Sequence, residues 1–201
     1  MKVIQNINIE KFEGFRTFLK ENPEKARLKL EARAIYEGQV GRSTVHIGPY
    51  QLDEDTIDRE TRRYTIPFGA WREVEETLGI EGPTDRMEPV EMALAATASC
   101  VVNSITFNTV RLGINVEGLE ISVRSTVDPR VLFDINGSED YNSCIRSLEY
   151  DVEVQGDISD DDLNTIKRLC EHSPVYIMMA SPISMTANVK RVNPKTEPLL
   201  N

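Results

Sequence analysis

The sequence predicts an α+β fold, and three patterns in it support this prediction. Segments with alternating apolar and polar residues, typical of half-buried strands, form two groups at residues 27–68 and 119–154, with one more near the end. A long apolar segment between the groups begins and ends like a helix, and shorter helical segments lie at residues 8–22 and 159–179. Because strands and helices are segregated along the chain, small antiparallel sheets are favoured over a parallel, doubly wound sheet.

The first part of the chain predicts a helix followed by a hairpin. Asn8 is suited to cap the helix, which Asn22 and Pro23 end. Alternating segments at residues 27–36 and 43–47, separated by two glycines, predict a β-hairpin. Arg42 then lies at the hairpin tip or just inside the return strand, where a solvated turn residue is the ordinary interpretation.

The next part of the chain has weaker patterns. The charged run DEDTIDRETRR at residues 53–63 is expected to form solvent-exposed surface. Residues 64–68 are predicted to be a third strand. Residues 69–87 are predicted to be a loop or a broken helix, and loops in such positions often shape a pocket.

A long helix is predicted for the segment EPVEMALAATASCVVNSITFNTVRLG, residues 88–113. Pro89 suits its first position and Gly113 suits its end. The segment is apolar nearly all round, so we expect a buried helix packed on more than one side. Cys100 lies in its middle, where an inert core cysteine is the ordinary interpretation. A reactive thiol there would need a cation from elsewhere in the chain.

After the long helix, strands are predicted around residues 119–123 and 148–154, with an exposed loop at residues 128–143 between them. Ser159 starts a helix with a capping-box pattern, and Ser173 starts a short helix that runs through Met179. A last strand is predicted at residues 183–192. The buried stripe of the first of these helices is expected to consist of Leu163, Ile166, Leu169 and Cys170.

Composition narrows the class of protein. The net charge of −10 disfavours nucleic acids and anionic membranes as partners. We find no signal peptide and no uninterrupted membrane span, which predicts a cytoplasmic protein. The 3 cysteines and 2 histidines are too widely spaced for a disulfide framework or a metal centre. No phosphate-binding loop is present either, so we expect no nucleotide. We expect neither a cofactor nor a metal.

The pattern also predicts how the chain is organised. We expect one domain over residues 1–201, with a helix, hairpin and loop region at 1–87 and a long-helix and α+β part at 88–201. A two-sided apolar helix between two small sheets needs a second surface to cover it. A homodimer in which the long helices pack together between the sheets would supply that surface.

Four segments, in this order and after an N-terminal hairpin, resemble the OsmC/Ohr family of thiol-dependent organic hydroperoxide reductases. They are EPVEMALAATASC, GINVEGLEISV, VEVQGDISDDDL and HSPV. The resemblance implies an OsmC-like fold, in which a long central helix packs between small antiparallel sheets. It also implies an intertwined homodimer with the reactive site at the dimer interface.

The resemblance further implies the residues that carry the chemistry. Cys100 matches the peroxidatic cysteine, Arg42 the hairpin arginine, and Glu91 the glutamate at the start of the long helix. In such a site the thiolate attacks the O–O bond, the guanidinium stabilises the thiolate and the departing oxygen, and the carboxylate orients the guanidinium. The cysteine becomes a sulfenic acid. A mostly apolar pocket would favour organic hydroperoxides.

The sequence departs from the family pattern at three places. Ser173 stands where the peroxidases carry a resolving cysteine, so an external thiol or dithiol would have to reduce Cys100. Glu91 is one position later than the usual glutamate, which rotates its side chain by about 100° on a helix. Arg42 matches only approximately, and the alternatives are Arg33, Arg62 and Arg63.

Cys170 is the nearest substitute for a resolving cysteine, with buried packing as its other interpretation, and Cys144 is a more remote one. Two further hypotheses stay open beside the peroxidase. One is a non-catalytic OsmC-fold protein that binds a small hydrophobic or sulfur-containing ligand at the dimer interface. The other is a structural protein in which Cys100 is inert.

Overall fold

The computed structural model describes residues 3–135 and 144–191. Two compact units divide the chain. The first runs to Pro89 and takes in the segment that begins at Met185, and the second is Val90–Ser184.

The first unit contains short strands arranged in small antiparallel sheets. In chain order the elements are β1 Val3–Ile4, β2 Ile7–Asn8, α1 Ile9–Glu21, β3 Leu28–Lys29, β4 Ala32–Tyr36, β5 Ser43–Ile47, β6 Tyr50–Leu52, β7 Asp55–Ile57, β8 Tyr64–Phe68 and α2 Arg72–Thr77. The strands β3, β6 and β7 form one sheet, and β4, β5 and β8 form another, while β1 and β2 pair as a separate ribbon.

The predicted helix α1 and the predicted hairpin β4–β5 are both present. Asn8 caps α1 by accepting a hydrogen bond from the Lys11 backbone N–H at 3.0 Å. Two glycines with positive φ, +85° at Gly38 and +77° at Gly41, form the hairpin turn. These φ values favour glycine, because it lacks the Cβ that clashes there. Arg42 therefore comes immediately before the first residue of β5.

One prediction for this unit is wrong in detail. Residues 27–36 form two short strands in different sheets instead of one strand, because β3 pairs with β6 while β4 pairs with β5. The charged run at residues 53–63 is largely exposed, as predicted, and its Asp55–Ile57 segment also forms strand β7. Asp53 adopts a φ of +56° at the turn before β7. Aspartate tolerates this conformation better than most residues.

The second unit contains the long helix, a two-stranded antiparallel sheet and two further helices. The predicted long helix, strand pair and capping box are all present. The Ser159 hydroxyl accepts from the Asp162 backbone N–H at 3.2 Å, and the Asp162 carboxylate accepts from the Ser159 N–H at 3.1 Å. The elements are α3 Pro89–Leu112, β9 Gly118–Val127, β10 Ile145–Gln155, α4 Asp160–Cys170 and α5 Pro174–Ala180.

One face of α3 packs into the core of the second unit. Val101 and Ile105 are fully buried there against α4 and the β9–β10 sheet. The prediction that α3 is buried on more than one side does not hold within one chain, since Phe107 is 50% exposed. A single chain covers only one face of the helix. The buried residues of α3 are Thr97, Val101, Ser104, Ile105, Thr109 and Val110.

Two more predictions for this part of the chain are wrong. Leu163 is 47% exposed, because the core contacts of α4 begin one turn later at Ile166. The predicted strand at residues 183–192 does not form in its described part, where Met185 is 94% and Val189 is 96% exposed. A segment with alternating apolar and polar residues forms a strand only where it can pair with the edge of a sheet. Residue 192 and residues 136–143 of the predicted loop lie outside the described residues.

Helix α3 has the length and the apolar composition of a membrane-crossing helix. From the sequence we expect no uninterrupted membrane span and predict that this segment is a helix buried in protein. The buried central helices of water-soluble proteins meet the same criteria, so one such helix is weak evidence for a membrane protein.

Candidate functional site

Cys100 lies near the middle of α3 and is half-buried. Its neighbour Val101 is fully buried in the core of the second unit, and one residue turns a helix by about 100°. Cys100 therefore lies beside the buried stripe and is not one of the buried core residues. Its partial exposure makes it more accessible than an inert core cysteine.

Arg42, in the first unit, is held by a buried carboxylate. Its Nε donates to Glu75 Oε1 at 2.9 Å, and its Nη2 donates to Glu75 Oε2 at 2.7 Å. Nη2 also donates to the Gly82 backbone carbonyl at 2.8 Å. The Arg42 side chain is only 10% exposed, so it is not a solvated turn residue. A bidentate pair of this kind fixes the plane of the guanidinium as well as its position.

Glu75 is fully buried and accepts further hydrogen bonds from the segment that follows α2. The Thr84 backbone N–H donates to Oε2 at 2.6 Å, and the Thr84 hydroxyl donates to the same oxygen at 3.3 Å. The hydrogen bond from Arg42 and then the one from the Thr84 N–H lower the pKa of Glu75 to about 2. The carboxylate therefore stays ionised at physiological pH.

The pairing with Glu75 leaves one end of the Arg42 guanidinium available. Its Nη1 makes no hydrogen bond to the described part of the chain, while Nε and Nη2 are both engaged. Residues 69–87, predicted to be a loop or a broken helix, thus supply both hydrogen-bonding partners of Arg42, namely Glu75 and Gly82. Sequence patterns did not single out Glu75, since nothing local distinguishes it from Glu73 and Glu76 on the same helix.

The alternative arginines have other surroundings. Arg62 stacks on Tyr50, with 4.8 Å from its Cζ to the ring centroid, and lies 5.9 Å from the Tyr64 ring. Arg63 pairs with Asp58 at 3.3 Å on the surface. Arg33 is exposed at the edge of a cavity of about 460 Å³ in the first unit. Of the four arginines, Arg42 is the one that a buried carboxylate orients.

Glu91 lies in the first turn of α3 and its side chain is exposed. Cys100 and Glu91 belong to the second unit, whereas Arg42 and Glu75 belong to the first. The roles implied for Cys100, Arg42 and Glu91 stay predictions. Glu75 is an addition to the residues predicted from the sequence.

Cys170 has the properties of a core residue. It is 3% exposed, and its thiol donates to the Ile166 carbonyl at 3.3 Å. Burial raises the pKa of the Cys170 thiol and raises that of the neighbouring Tyr150 hydroxyl to about 12. A thiol that resists ionisation is a poor nucleophile, so this environment favours the packing interpretation of Cys170.

Ser173 is fully buried and caps α5, where its hydroxyl accepts from the Tyr176 backbone N–H at 3.1 Å. This confirms the predicted cap. Cys144 is partly exposed at the start of the described segment that leads into β10.

The sequence of this chain matches the model of one protein family. The model of the family described as OsmC-like protein matches residues 82–188. The match contains Cys100, Cys170 and Ser173 and begins after Arg42 and Glu75. No curated protein sequence matches the chain.

Solved structures of OsmC-like proteins are also similar. An OsmC-like protein from Mycoplasma pneumoniae is 14% identical, with a TM-score of 0.52 over 76% of this chain and 87% of that one. An OsmC-like protein of unknown function from Vibrio cholerae is 11% identical, with a TM-score of 0.49 over 75% and 92%. An organic hydroperoxide resistance protein OsmC from Legionella pneumophila is 13% identical, with a TM-score of 0.44 over 75% and 88%.

The likeness to the Mycoplasma protein shows the fold, and the predicted combination of small antiparallel sheets with a long helix is confirmed. The family match covers more than half of the chain and confirms the resemblance drawn from the sequence motifs. The chain belongs to the OsmC-like protein family.

Proposed function

We propose that this protein is a thiol peroxidase that reduces organic hydroperoxides, with Cys100 as the nucleophile. The observation that carries the proposal is a half-buried cysteine in the long helix of an OsmC-like protein. A second observation supports it: Arg42 is oriented by Glu75 and keeps Nη1 available. In this proposal Arg42 assists Cys100, and Glu91 is the helix-start glutamate of the site.

The first step of the proposed reaction oxidises the cysteine. The Cys100 thiolate attacks one oxygen of the hydroperoxide, so that an S–O bond forms while the O–O bond breaks. The departing alkoxide takes up a proton and leaves as an alcohol. The hydroperoxide is reduced by two electrons, and Cys100 becomes a sulfenic acid. A guanidinium stabilises both the thiolate and the developing alkoxide, because both carry negative charge.

The second step requires a thiol from outside the chain. Ser173 cannot form a disulfide, and Cys170 is buried with a raised pKa. One external thiol condenses with the sulfenic acid to release water and form a mixed disulfide. A second thiol, or the second sulfur of a dithiol, then releases Cys100 and leaves as the oxidised disulfide. A cytoplasmic location, as predicted from the sequence, would supply such thiols.

The proposal is tested by a brief pulse of cumene hydroperoxide at one equivalent, with dimedone present to trap sulfenic acid. Peptide mass spectrometry should find dimedone on Cys100 within seconds, and the same dose of hydrogen peroxide should label it more slowly. A disulfide between Cys100 and Cys170 would contradict the external-reductant step. An unmodified Cys100 would overturn the peroxidase proposal and favour the ligand-binding hypothesis. The absence of a resolving cysteine at Ser173 is compatible with that hypothesis.

We further propose that the protein is a homodimer. Ser99, Asn103 and Phe107 follow one another at four-residue spacing on α3, so they share a face, and all three are exposed in the single chain. Met185 and Val189 expose more than nine-tenths of their surface. In this proposal a second copy packs on this face of α3 and covers Phe107.

Sedimentation velocity should therefore give twice the mass of the chain. Phe107→Glu should shift the protein toward monomer, since it puts a charge on the exposed face of α3. Phe133→Glu is the matched control, because Phe133 is 51% exposed, close to the 50% of Phe107, and lies on a short 3-10 helix outside α3. A wild-type protein that sediments as a monomer at micromolar concentration would contradict the dimer.

A further inference from the structure

A cavity of about 450 Å³ lies within the second unit, where the end of α3 meets one face of α4. Its polar lining comes from Arg111 on α3 and from Asp162, Thr165, Arg168 and His172 on or just after α4. The α4 residues recur at intervals of three or four, so they share one side of that helix. The remaining walls are leucine and isoleucine side chains. The volume falls within the range of small-molecule sites.

Arg111 has a buried side-chain N–H that has no partner in the described part of the chain. Its Nε is buried and makes no hydrogen bond, and Arg111 forms no ion pair within residues 3–135 and 144–191. An arginine in the last turn of a helix commonly bonds the final carbonyl groups, but Arg111 does not. Arg62 also has a buried, unpartnered Nε, yet its guanidinium stacks on Tyr50. A buried N–H donor without any partner is unfavourable unless a ligand supplies one.

The charges around the cavity favour an anion. Arg168 Nη2 donates to the Thr165 hydroxyl at 3.2 Å, which leaves its other donors available. Asp162 is the carboxylate of the lining, and its Oδ2 already accepts from the Ser159 N–H and hydroxyl. The lining of the cavity therefore contains two guanidinium groups and one carboxylate, and that carboxylate is already hydrogen-bonded in the cap of α4. This local excess of positive charge contrasts with the net charge of −10 of the whole chain.

We propose that this cavity binds a phosphate group, either as inorganic phosphate or as the phosphate monoester of a small metabolite. One arginine fork is enough to bind the two oxygens of a carboxylate. Arg111, Arg168 and His172 approach from two elements, which suits the three oxygens and nearly double negative charge of a phosphoryl group. Arg111 is 11 residues after Cys100, about 16 Å along the axis of α3. The site is therefore separate from the proposed peroxidase chemistry.

The test is titration of the full-length ¹⁵N-labelled protein with inorganic phosphate at constant ionic strength, followed by NMR. Amide signals of residues 111–114 and 165–172 should shift and saturate in the millimolar range or below. Glycerol 3-phosphate is the monoester probe, and acetate is the carboxylate probe. Phosphate and glycerol 3-phosphate should bind more tightly than acetate. Tighter binding of glycerol 3-phosphate than of phosphate identifies a monoester as the ligand.

Arg111→Gln and Arg168→Gln should each weaken phosphate binding about tenfold, because each removes charge-assisted hydrogen bonds. Arg124→Gln is the control, since Arg124 is an exposed arginine of the same unit that pairs with Glu149 and Asp151, and it should leave binding unchanged. Arg168 is exposed, so its variant should fold even if the Arg111 variant does not. Absence of saturable binding, equal binding by Arg168→Gln, or preference for acetate would overturn the proposal. Cys100→Ser should still bind phosphate, which separates this test from the peroxidase.

Discussion

Cys100→Ser should abolish the reduction of cumene hydroperoxide, with a fall in kcat/KM of at least about 10³-fold. Serine cannot be oxidised to the equivalent of a sulfenic acid, and its hydroxyl is far less acidic and less nucleophilic than a thiol. The measurement is the rate of hydroperoxide loss with dithiothreitol as the external reductant. The stability of the variant should be close to that of the wild type, since sulfur and oxygen differ little in size at a half-buried position.

Cys144→Ser is the matched control, because Cys144 is also a partly exposed free cysteine. It should keep the wild-type rate. If Cys144→Ser loses activity as Cys100→Ser does, Cys144 takes part in the cycle and the external-reductant step is wrong. If Cys100→Ser keeps its rate, the protein is not a peroxidase that uses this cysteine.

Glu75→Gln should lower the melting temperature by roughly 10 °C at neutral pH, because it leaves the Arg42 guanidinium largely buried without its ionic partner. Glutamine has the same shape but no charge, and it can offer only one acceptor oxygen to Arg42 and Thr84. Glu76→Gln is the control on the same helix, since Glu76 is a half-exposed partner of Arg72. Its melting temperature should change by about 1 °C or less. Circular dichroism or differential scanning fluorimetry measures both.

The effect of Glu75→Gln should depend on pH in a defined direction. The pKa of Glu75 is about 2 in the folded protein, below its ordinary value of 4.5. The stabilisation by the ionised carboxylate is therefore fully present above about pH 5 and is lost as the pH falls toward 2. The gap in melting temperature between the wild type and Glu75→Gln should narrow over that window. A gap that is small at pH 7, or that widens in acid, would contradict the ionic pairing.

Much of the second unit could be predicted because its signals are local. Pro89 and Gly113 bracket α3, the capping box at Ser159 starts α4, and period-two alternation marks β9 and β10. These features depend on neighbours within a few residues, so the sequence displays them directly. The same holds for the β4–β5 hairpin, whose two glycines lie where positive φ is needed.

The errors came from features that depend on distant parts of the chain. Alternation at residues 183–192 resembles a strand, but no sheet edge within the described residues pairs with it. The strand β3 pairs with β6, which lies more than 20 residues later in the sequence, and no local pattern predicts this pairing. Glu75 looks like an ordinary surface glutamate until the segment through Thr84 folds back and brings it to Arg42. Its role follows from tertiary contacts between residues 33 positions apart.

The serine cap of α5 also determines the kinetic order of the proposed cycle. A peroxidase with two cysteines closes its own disulfide in a unimolecular step, at an effective concentration that the fold supplies. With Ser173 at the head of α5, the proposed cycle removes the sulfenic acid on Cys100 by collision with a thiol from solution. Its lifetime would then be inversely proportional to the thiol concentration. The fraction of oxidised protein would report on the surrounding thiol pool as well as on the hydroperoxide.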